Sequence, residues 1–228
     1  SAPPRSERDS WRWATSARGA QGCSETCERG TGRATVPGVD RRWVYAGLAA
    51  ALGVGLVRAI RAPKVHAGSR LLLIGDSLAV GLAPQVKALA AEQKVPFLAT
   101  ATISTRIDQW AQSQALTQTL AAFRPTLVLV SLGTNDEYLT GDAVRRQAPY
   151  LDQLLQRLTV AGAEVVWIGP PTLPKAASNG IVALIQSKVA ASQYFPSQTL
   201  QIPRGPDQLH PSAKGYAAWA GALWQWLA

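Results

Sequence analysis

Residues 71–82 read LLLIGDSLAVGL and join two different apolar patterns. The four consecutive aliphatic residues 71–74 are typical of a short strand that other elements cover on both faces. After Ser77 the apolar residues follow helical spacing, with Leu82 and Val86 on one side. Ser77 therefore lies where a buried strand passes into a helix. A serine at this point is a common helix N-cap, and it is also a place where a nucleophile is presented.

The chain on either side of Ser77 alternates between predicted strands and predicted helices. The clearest helix covers residues 150–160, and a last helix follows Pro211. This alternation predicts an α/β fold in which helices cover both faces of a parallel sheet. Ligands gather at the carboxyl ends of such strands, where Ser77 lies. The five predicted strands are 70–74, 96–101, 126–131, 164–168 and a segment near 199–202.

Two further polar motifs stand at equivalent places. GTND follows the third predicted strand, and its Asn135 can direct an amide donor towards the same edge of the sheet. DQLH precedes the last helix, and its His210 is the only histidine after residue 66. Asp207 lies three residues earlier, close enough for its carboxylate to reach Nδ1 of that ring. Taken singly, each motif also has an ordinary interpretation as turn or loop chemistry.

Together, GDS, GTND and DQLH occur in an order that resembles the SGNH/GDSL hydrolase superfamily over residues 70–228. The resemblance implies a three-layer α/β/α sandwich around a mostly parallel, five-stranded sheet of the flavodoxin-like type. It also implies ester hydrolysis, with Ser77 as nucleophile, His210 as general base and Asp207 orienting the imidazole. No cofactor and no metal is implied.

The same resemblance implies an oxyanion hole with three donors. They are the backbone N–H of Ser77, the side-chain amide of Asn135 and a backbone N–H after the second strand. The family usually has glycine at the last position, whereas this chain reads ATISTRIDQW and places Ser104 there. If the site requires a positive φ, a residue other than glycine costs about 1–2 kcal/mol. Catalytic efficiency is therefore the property that this departure puts in question.

Other charged residues of the motifs have less specific interpretations. Asp76 and Asp136 belong to GDS and GTND, and we assign them to holding the loops. Arg106 follows Ser104 closely and is placed either to contact an anionic group of the substrate or to form a surface salt bridge.

The first part of the chain differs in composition from the rest. Residues 1–42 form a basic leader without a sustained apolar period, which predicts disorder. Residues 43–66 hold an apolar segment and a linker before the hydrolase domain at 67–228. The segment 43–60 indicates a signal sequence or a membrane tether, and hence an exported or membrane-anchored protein. A buried helix of the domain is the alternative.

Composition also limits the partners. The formal net charge is +9, of which residues 1–66 contribute +6 and residues 67–228 only +3. The folded part therefore lacks the basic stripe of a nucleic-acid-binding protein. Cys23 and Cys27 both lie in the leader, so the domain has no disulfide framework. The expected partner is a small-molecule, lipid or glycan ester, with short acyl groups favoured. A non-catalytic module that keeps the fold and binds glycans is the alternative.

Overall fold

The computed structural model describes residues 62–173 and 179–228. Within these ranges, five parallel strands form one sheet in the order β2-β1-β3-β4-β5. The chain continues from β1 to β2 on one side of β1, and the later strands are added on the other side. Such a change in strand order leaves a crevice between β1 and β3 at their carboxyl ends. The predicted parallel five-stranded α/β fold is confirmed. The strands are β1 (Leu71–Gly75), β2 (Phe97–Ala101), β3 (Leu127–Ser131), β4 (Glu164–Ile168) and β5 (Tyr194–Phe195).

Helices cover both faces of this sheet. They are α1 (Ser77–Glu92), α2 (Ile107–Ala111), α3 (Gln114–Phe123), α4 (Asp142–Arg145), α5 (Gln147–Val160), α6 (Ile181–Lys188) and α7 (Ala213–Leu227). The core on one face includes residues of α1 and α7, and the core on the other face includes residues of α2, α3, α5 and α6. None of the helices in the described ranges has the length and apolar character needed to cross a membrane.

The strand β1 shows why its sequence is a continuous aliphatic run. Leu71 and Leu73 pack into the core below α1 and α7, whereas Leu72 and Ile74 pack into the core on the other face. All four side chains are fully buried. Each contributes about 1.5–3 kcal/mol by leaving water. Since both faces are covered, no polar residue can alternate along this strand.

The predicted position of the fifth strand is wrong. The strand is Tyr194–Phe195, where Phe195 pairs with Ile168 of β4. Residues 199–202 instead leave a 3₁₀ turn and form a loop whose buried Ile202 packs against the core. The alternating apolar residues of this loop therefore pack against the core beneath the loop, and they do not pair with a strand. A strand of two residues is too short to produce a periodic signal of its own.

The folded contacts begin a few residues before the predicted domain start at 67. The backbone N–H of Val65 donates to the carbonyl of Leu227 at 2.9 Å. The ammonium of Lys64 donates to the carbonyl of Trp226 at 3.2 Å. Residues 62–66 therefore run beside the end of α7. The predicted leader 1–42 and apolar segment 43–60 lie outside the described residues.

Candidate active site

The first three strands end at the same level. Gly75 lies opposite Ala101 of β2 and opposite Ser131 of β3. A Cβ at Gly75 would lie 2.2 Å from the backbone oxygen of Ser131, so a side chain at this position would displace the neighbouring strand. The glycine of GDS therefore allows β1 and β3 to approach closely. As a result, the segments that follow these strands begin side by side.

Asp76, and not Ser77, caps helix α1. The carboxylate Oδ1 of Asp76 accepts the backbone N–H of Leu78 at 2.9 Å, which is the bond expected of an N-cap. Ser77 is the first residue of the helix and is half-buried. Its hydroxyl is therefore not needed for capping and is available for another partner.

That partner is His210. Ser77 Oγ lies 2.9 Å from Nε2 of His210. On the other side of the ring, Nδ1 lies 2.6 Å from Oδ2 of Asp207. The hydrogen bond with the His210 side chain, and then bonds from the backbone, lower the pKa of Asp207 to about 2. The carboxylate is therefore ionised, holds the proton on Nδ1, and leaves Nε2 free to accept the proton of the serine.

The loop that carries Asp207 and His210 is held by its own backbone. Oδ1 of Asp207 accepts the N–H groups of Leu209 and His210, each at 3.0 Å. The N–H of Gly205 donates to the carbonyl of His210 at 2.7 Å and closes the loop. Gln208 adopts a φ of +60° within this turn. These bonds fix the loop that carries Asp207 and His210. The loop thereby places His210 against Ser77, which lies 133 positions earlier in the chain.

Arg204 fixes this loop to the sheet, and the sequence did not reveal it. Nη1 of Arg204 donates to the carbonyl of Leu209 at 2.5 Å, and Nη2 donates to the carbonyl of Thr172 at 2.7 Å. Leu209 shares a peptide unit with His210, whereas Thr172 follows β4. The arginine thereby ties the histidine loop to the carboxyl edge of the sheet. No local motif marks an arginine at this position.

Two of the three predicted oxyanion donors, Ser104 and Asn135, lie on the segments after β2 and β3, whereas Ser77 follows β1. Nδ2 of Asn135 donates to the carbonyl of Thr105 at 2.9 Å and to Oδ2 of Asp76 at 3.3 Å. Ser104 has a φ of +60°, in the left-handed region that favours glycine. The structure therefore holds a serine in the backbone conformation for which the family uses glycine.

Arg106 takes part in an ion pair whose two contacting atoms are buried, although both side chains are partly exposed. Its Nε lies 3.4 Å from Oδ1 of Asp108. Its backbone N–H donates to Oε1 of Gln109 at 2.9 Å and helps to start α2. Of the two interpretations of Arg106, the structure shows the salt bridge, and contact with a substrate stays a prediction.

Two buried carboxyl groups lie beneath the candidate site. Burial raises the pKa of Asp76 to about 6 and the pKa of Asp136 to about 7. Asp136 also supports its loop, because its carbonyl accepts the side-chain amide of Asn179 at 2.7 Å. In residues 62–173 and 179–228, no group of three or more His, Cys, Asp or Glu side chains is arranged to hold a metal ion.

Residues 73–218, more than half of the chain, match the GDSL-like lipase/acylhydrolase family. The chain belongs to this family. The resemblance predicted from GDS, GTND and DQLH is thus confirmed. Lipases and acylhydrolases cleave esters. Membership of this family therefore assigns the protein to the general class of ester hydrolases.

Solved structures show the same fold at low sequence identity. A protein from Slackia heliotrinireducens, named among the SGNH hydrolases, has 18% identity and a TM-score of 0.56, covering 70% of this chain and 99% of that one. The esterase EstA from Pseudoalteromonas sp. has 16% identity and a TM-score of 0.51, with 69% and 95% covered. The acetylxylan esterase Axe2 from Geobacillus stearothermophilus has 13% identity and a TM-score of 0.54, with 72% and 96% covered. No similar sequence was found among curated proteins.

Proposed function

We propose that this GDSL-family protein is a serine hydrolase that cleaves carboxylic esters of short acyl groups through an acyl-enzyme intermediate. One observation carries the proposal, namely the hydrogen-bonded series Ser77 Oγ, His210 and Asp207, with contacts of 2.9 and 2.6 Å. A serine hydroxyl is a weak nucleophile unless an adjacent base takes its proton, and this arrangement supplies the base and its orienting carboxylate.

In the acylation half of the reaction, Ser77 Oγ attacks the ester carbonyl carbon while Nε2 of His210 takes the hydroxyl proton. The carbonyl oxygen then carries the negative charge of a tetrahedral intermediate. When this intermediate collapses, the bond to the alcohol oxygen breaks, and His210 returns the proton to the departing alcohol. Asp207 stabilises the imidazolium between these two steps and stays ionised throughout.

In the deacylation half, water takes the place of the alcohol. His210 removes a proton from the water, whose oxygen attacks the acyl carbon. When the second tetrahedral intermediate collapses, the bond between the acyl carbon and Ser77 Oγ breaks, the carboxylic acid is released, and His210 returns the proton to Ser77 Oγ. The N–H groups of Ser77 and Ser104 and the amide of Asn135 are the donors that would stabilise both oxyanions.

The choice of short acyl groups rests on the setting of Ser77. The residue is half-buried at the carboxyl edge of the sheet, and the sequence of residues 67–228 shows no lid-like apolar insertion. Among proteins of the same fold, Axe2 is named an acetylxylan esterase. We therefore place O-acetyl and other short esters of glycans, lipids or small alcohols first among the substrates.

The test is the rate of hydrolysis of p-nitrophenyl esters with acyl groups from acetyl to dodecanoyl, together with acetylated xylan. We expect the highest kcat/KM for acetyl or butyryl esters. Ser77→Ala should lower kcat by about 10³-fold or more, whereas the exposed serine variant Ser187→Ala should behave as wild type. A folded protein that binds acetylated glycan without turnover would instead support the non-catalytic module.

We also propose that residues 1–66 direct the protein out of the cytoplasm or anchor it to a membrane. The support is the uncharged apolar run between Arg42 and Arg58 with basic residues on both sides. Fusion of residues 1–66 to a reporter that is active only after export tests this directly. Reporter activity equal to that of an unfused reporter would contradict the proposal.

A further inference from the structure

Strand β2 lies at one edge of the sheet and pairs, among the described residues, only with β1. Its sequence FLATA contains no charged residue and no proline, although such residues commonly protect an edge strand from pairing with another chain. The opposite edge is protected, because β5 has only two residues and lies between two 3₁₀ turns. A further strand can therefore be added to the sheet at β2.

The backbone of β2 offers hydrogen-bonding groups on its outer side. The carbonyl of Pro96 accepts an N–H of β1 at 2.8 Å, and the N–H of Thr102 donates to a carbonyl of β1 at 2.9 Å. The even-numbered residues therefore turn their backbone groups towards β1, and the residues between them turn theirs outwards. Within the described ranges no hydrogen bond uses the outward N–H and C=O groups, which belong to Phe97, Ala99 and Ala101.

Apolar side chains are concentrated around this edge. A groove of about 470 Å³ runs between β2 and α1, and its walls include Val80, Pro84, Lys87 and Leu98. In residues 62–173 and 179–228, three of the five large apolar side chains that are exposed lie in this groove or just after β2. They are Val80, Leu98 and Ile103, with exposed fractions of 45%, 36% and 67%. A cluster of this kind marks an interaction surface.

We propose that β2 pairs with β2 of a second copy of this chain about a two-fold axis at Ala99, so that the two sheets join into one. An antiparallel pair centred on Ala99 places Phe97 of each copy opposite Ala101 of the other. These are the hydrogen-bonded positions of such a ladder, so every outward N–H and C=O group of the three residues gains a partner. One strand thereby supplies both sides of the interface, as a two-fold dimer requires.

The side chains of β2 fit this register. On the face that α1 covers, the ring of Phe97 lies opposite the small side chain of Ala101, and only the methyl group of Ala99 lies at the axis. On the other face, Leu98 lies opposite Thr100. Large side chains thus face smaller ones, and no charged side chain lies within the paired strands.

The same arrangement covers the groove beside β2. The two α1 helices lie on the same face of the joined sheet and run in opposite directions, so Val80 of one copy lies towards Lys87 of the other. The alkyl chain of Lys87 then covers Val80, while its ammonium group stays in water. Ile103 follows β2 of one copy and comes beside the start of β2 of the other.

A second copy accounts for this edge better than the apolar segment 43–60 of the same chain does. An apolar helix would cover the exposed side chains, but it would leave the outward backbone groups of β2 unpaired. A paired strand satisfies both the side chains and the backbone. We therefore assign the edge to a second copy.

The first measurement is the mass of the full chain in solution by sedimentation equilibrium, from about 1 to 100 µM. The chain has a mass of 24.2 kDa, and we expect a species of twice that mass to predominate. Leu98→Lys places a charge at the edge without removing a bond to β1, and it should raise the Kd of the dimer about 10-fold or more. Val160→Lys, at an exposed site on α5, is the matched control and should dimerise as wild type does. Circular dichroism establishes that each variant is folded.

Cross-linking tests the register. In a chain that carries Cys23→Ser and Cys27→Ser, Ala99→Cys should form a disulfide-linked dimer under mild oxidation, because residues paired at the axis have Cα atoms about 5.5 Å apart. Ile103→Cys is the matched control and should link far more slowly. Ile103 is more exposed than Ala99, but it lies four positions from the axis on each copy, which separates the two side chains by roughly 26 Å.

Three outcomes would overturn the proposal. Wild type that stays monomeric over the whole concentration range would show that the edge does not pair with a second copy. A dimer whose Kd is unchanged in folded Leu98→Lys would place the interface elsewhere, for example at the segment 43–60. Disulfide formation by Ile103→Cys as fast as by Ala99→Cys would overturn the pairing centred on Ala99.

Discussion

Asp76 both caps the helix that begins with Ser77 and contacts Asn135, a predicted oxyanion donor. Its Oδ1 accepts the N–H of Leu78 at 2.9 Å, and its Oδ2 lies 3.3 Å from Nδ2 of Asn135. Asn135 gives its other amide hydrogen to the carbonyl of Thr105 at 2.9 Å. An amide has two N–H hydrogens, so the hydrogen in the longer contact is the one that an oxyanion would accept. We therefore expect Asp76 to orient the amide of Asn135 in the free enzyme, before an oxyanion takes this hydrogen.

Asp76→Asn should separate this positioning role from capping. Asparagine is an equally good N-cap, but its amide cannot both cap Leu78 and accept the hydrogen of Asn135 as a carboxylate does. We expect kcat on p-nitrophenyl acetate to fall about 10-fold with little change in KM. The pKa of Asp76 is raised to about 6 by burial, so loss of its charge should not lower the Tm above that pH. Unchanged kcat in the folded variant would refute the role.

Substitutions at Ser104 test the departure from the family pattern. Its φ of +60° is strained for any residue with a Cβ and most strained for a β-branched one. Ser104→Gly should raise kcat several-fold, because the backbone N–H can then face the oxyanion without strain. Ser104→Val should lower kcat by about 10-fold, towards the effect of losing a donor. Equal kcat values across the three proteins would show that this N–H does not contact the oxyanion.

Arg204 should affect the rate through the histidine loop. Lysine keeps the charge but cannot donate to Leu209 and Thr172 in the same fork-like geometry. We expect Arg204→Lys and Arg204→Ala to lower kcat by about 10-fold or more, by analogy with other displaced catalytic groups. Free guanidinium at a non-denaturing concentration should restore part of the rate in Arg204→Ala. Lys188→Ala should keep the wild-type rate, and absence of any rescue would indicate a structural role alone.

The stability of the protein should fall as the pH rises. Burial raises the pKa of Asp136 from the ordinary 3.8 to about 7 in the folded state, so the folded protein binds this proton more tightly than the unfolded chain does. This proton therefore stabilises the fold fully at a pH below the pKa of Asp136 in the unfolded chain. The stabilisation is lost as the pH rises through the pKa of Asp136 in the folded protein. Wild-type Tm should therefore be lower at about pH 8 than at about pH 5. Asp136→Asn cannot ionise and should show a smaller fall, which calorimetry at both pH values would measure.

Local patterns made much of this structure predictable. The aliphatic run of β1 and the position of Ser77 follow from neighbouring residues, and Asp207 and His210 occupy one short loop. The contact between Arg204 and Thr172 spans 32 positions and has no local pattern. The two-residue β5 is defined by its pairing with β4 and not by its sequence.

The central claim is that Ser77 is the nucleophile activated by His210, and covalent trapping tests it most directly. An activated alkyl phosphonate ester should add one phosphonyl group per protein, and peptide mass spectrometry should place that group on Ser77. Loss of esterase activity should parallel the extent of labelling. Ser77→Ala should not be labelled, and His210→Ala should be labelled far more slowly because the hydroxyl keeps its proton. Inactivation with the phosphonyl group on another residue, or unchanged labelling in His210→Ala, would contradict the account.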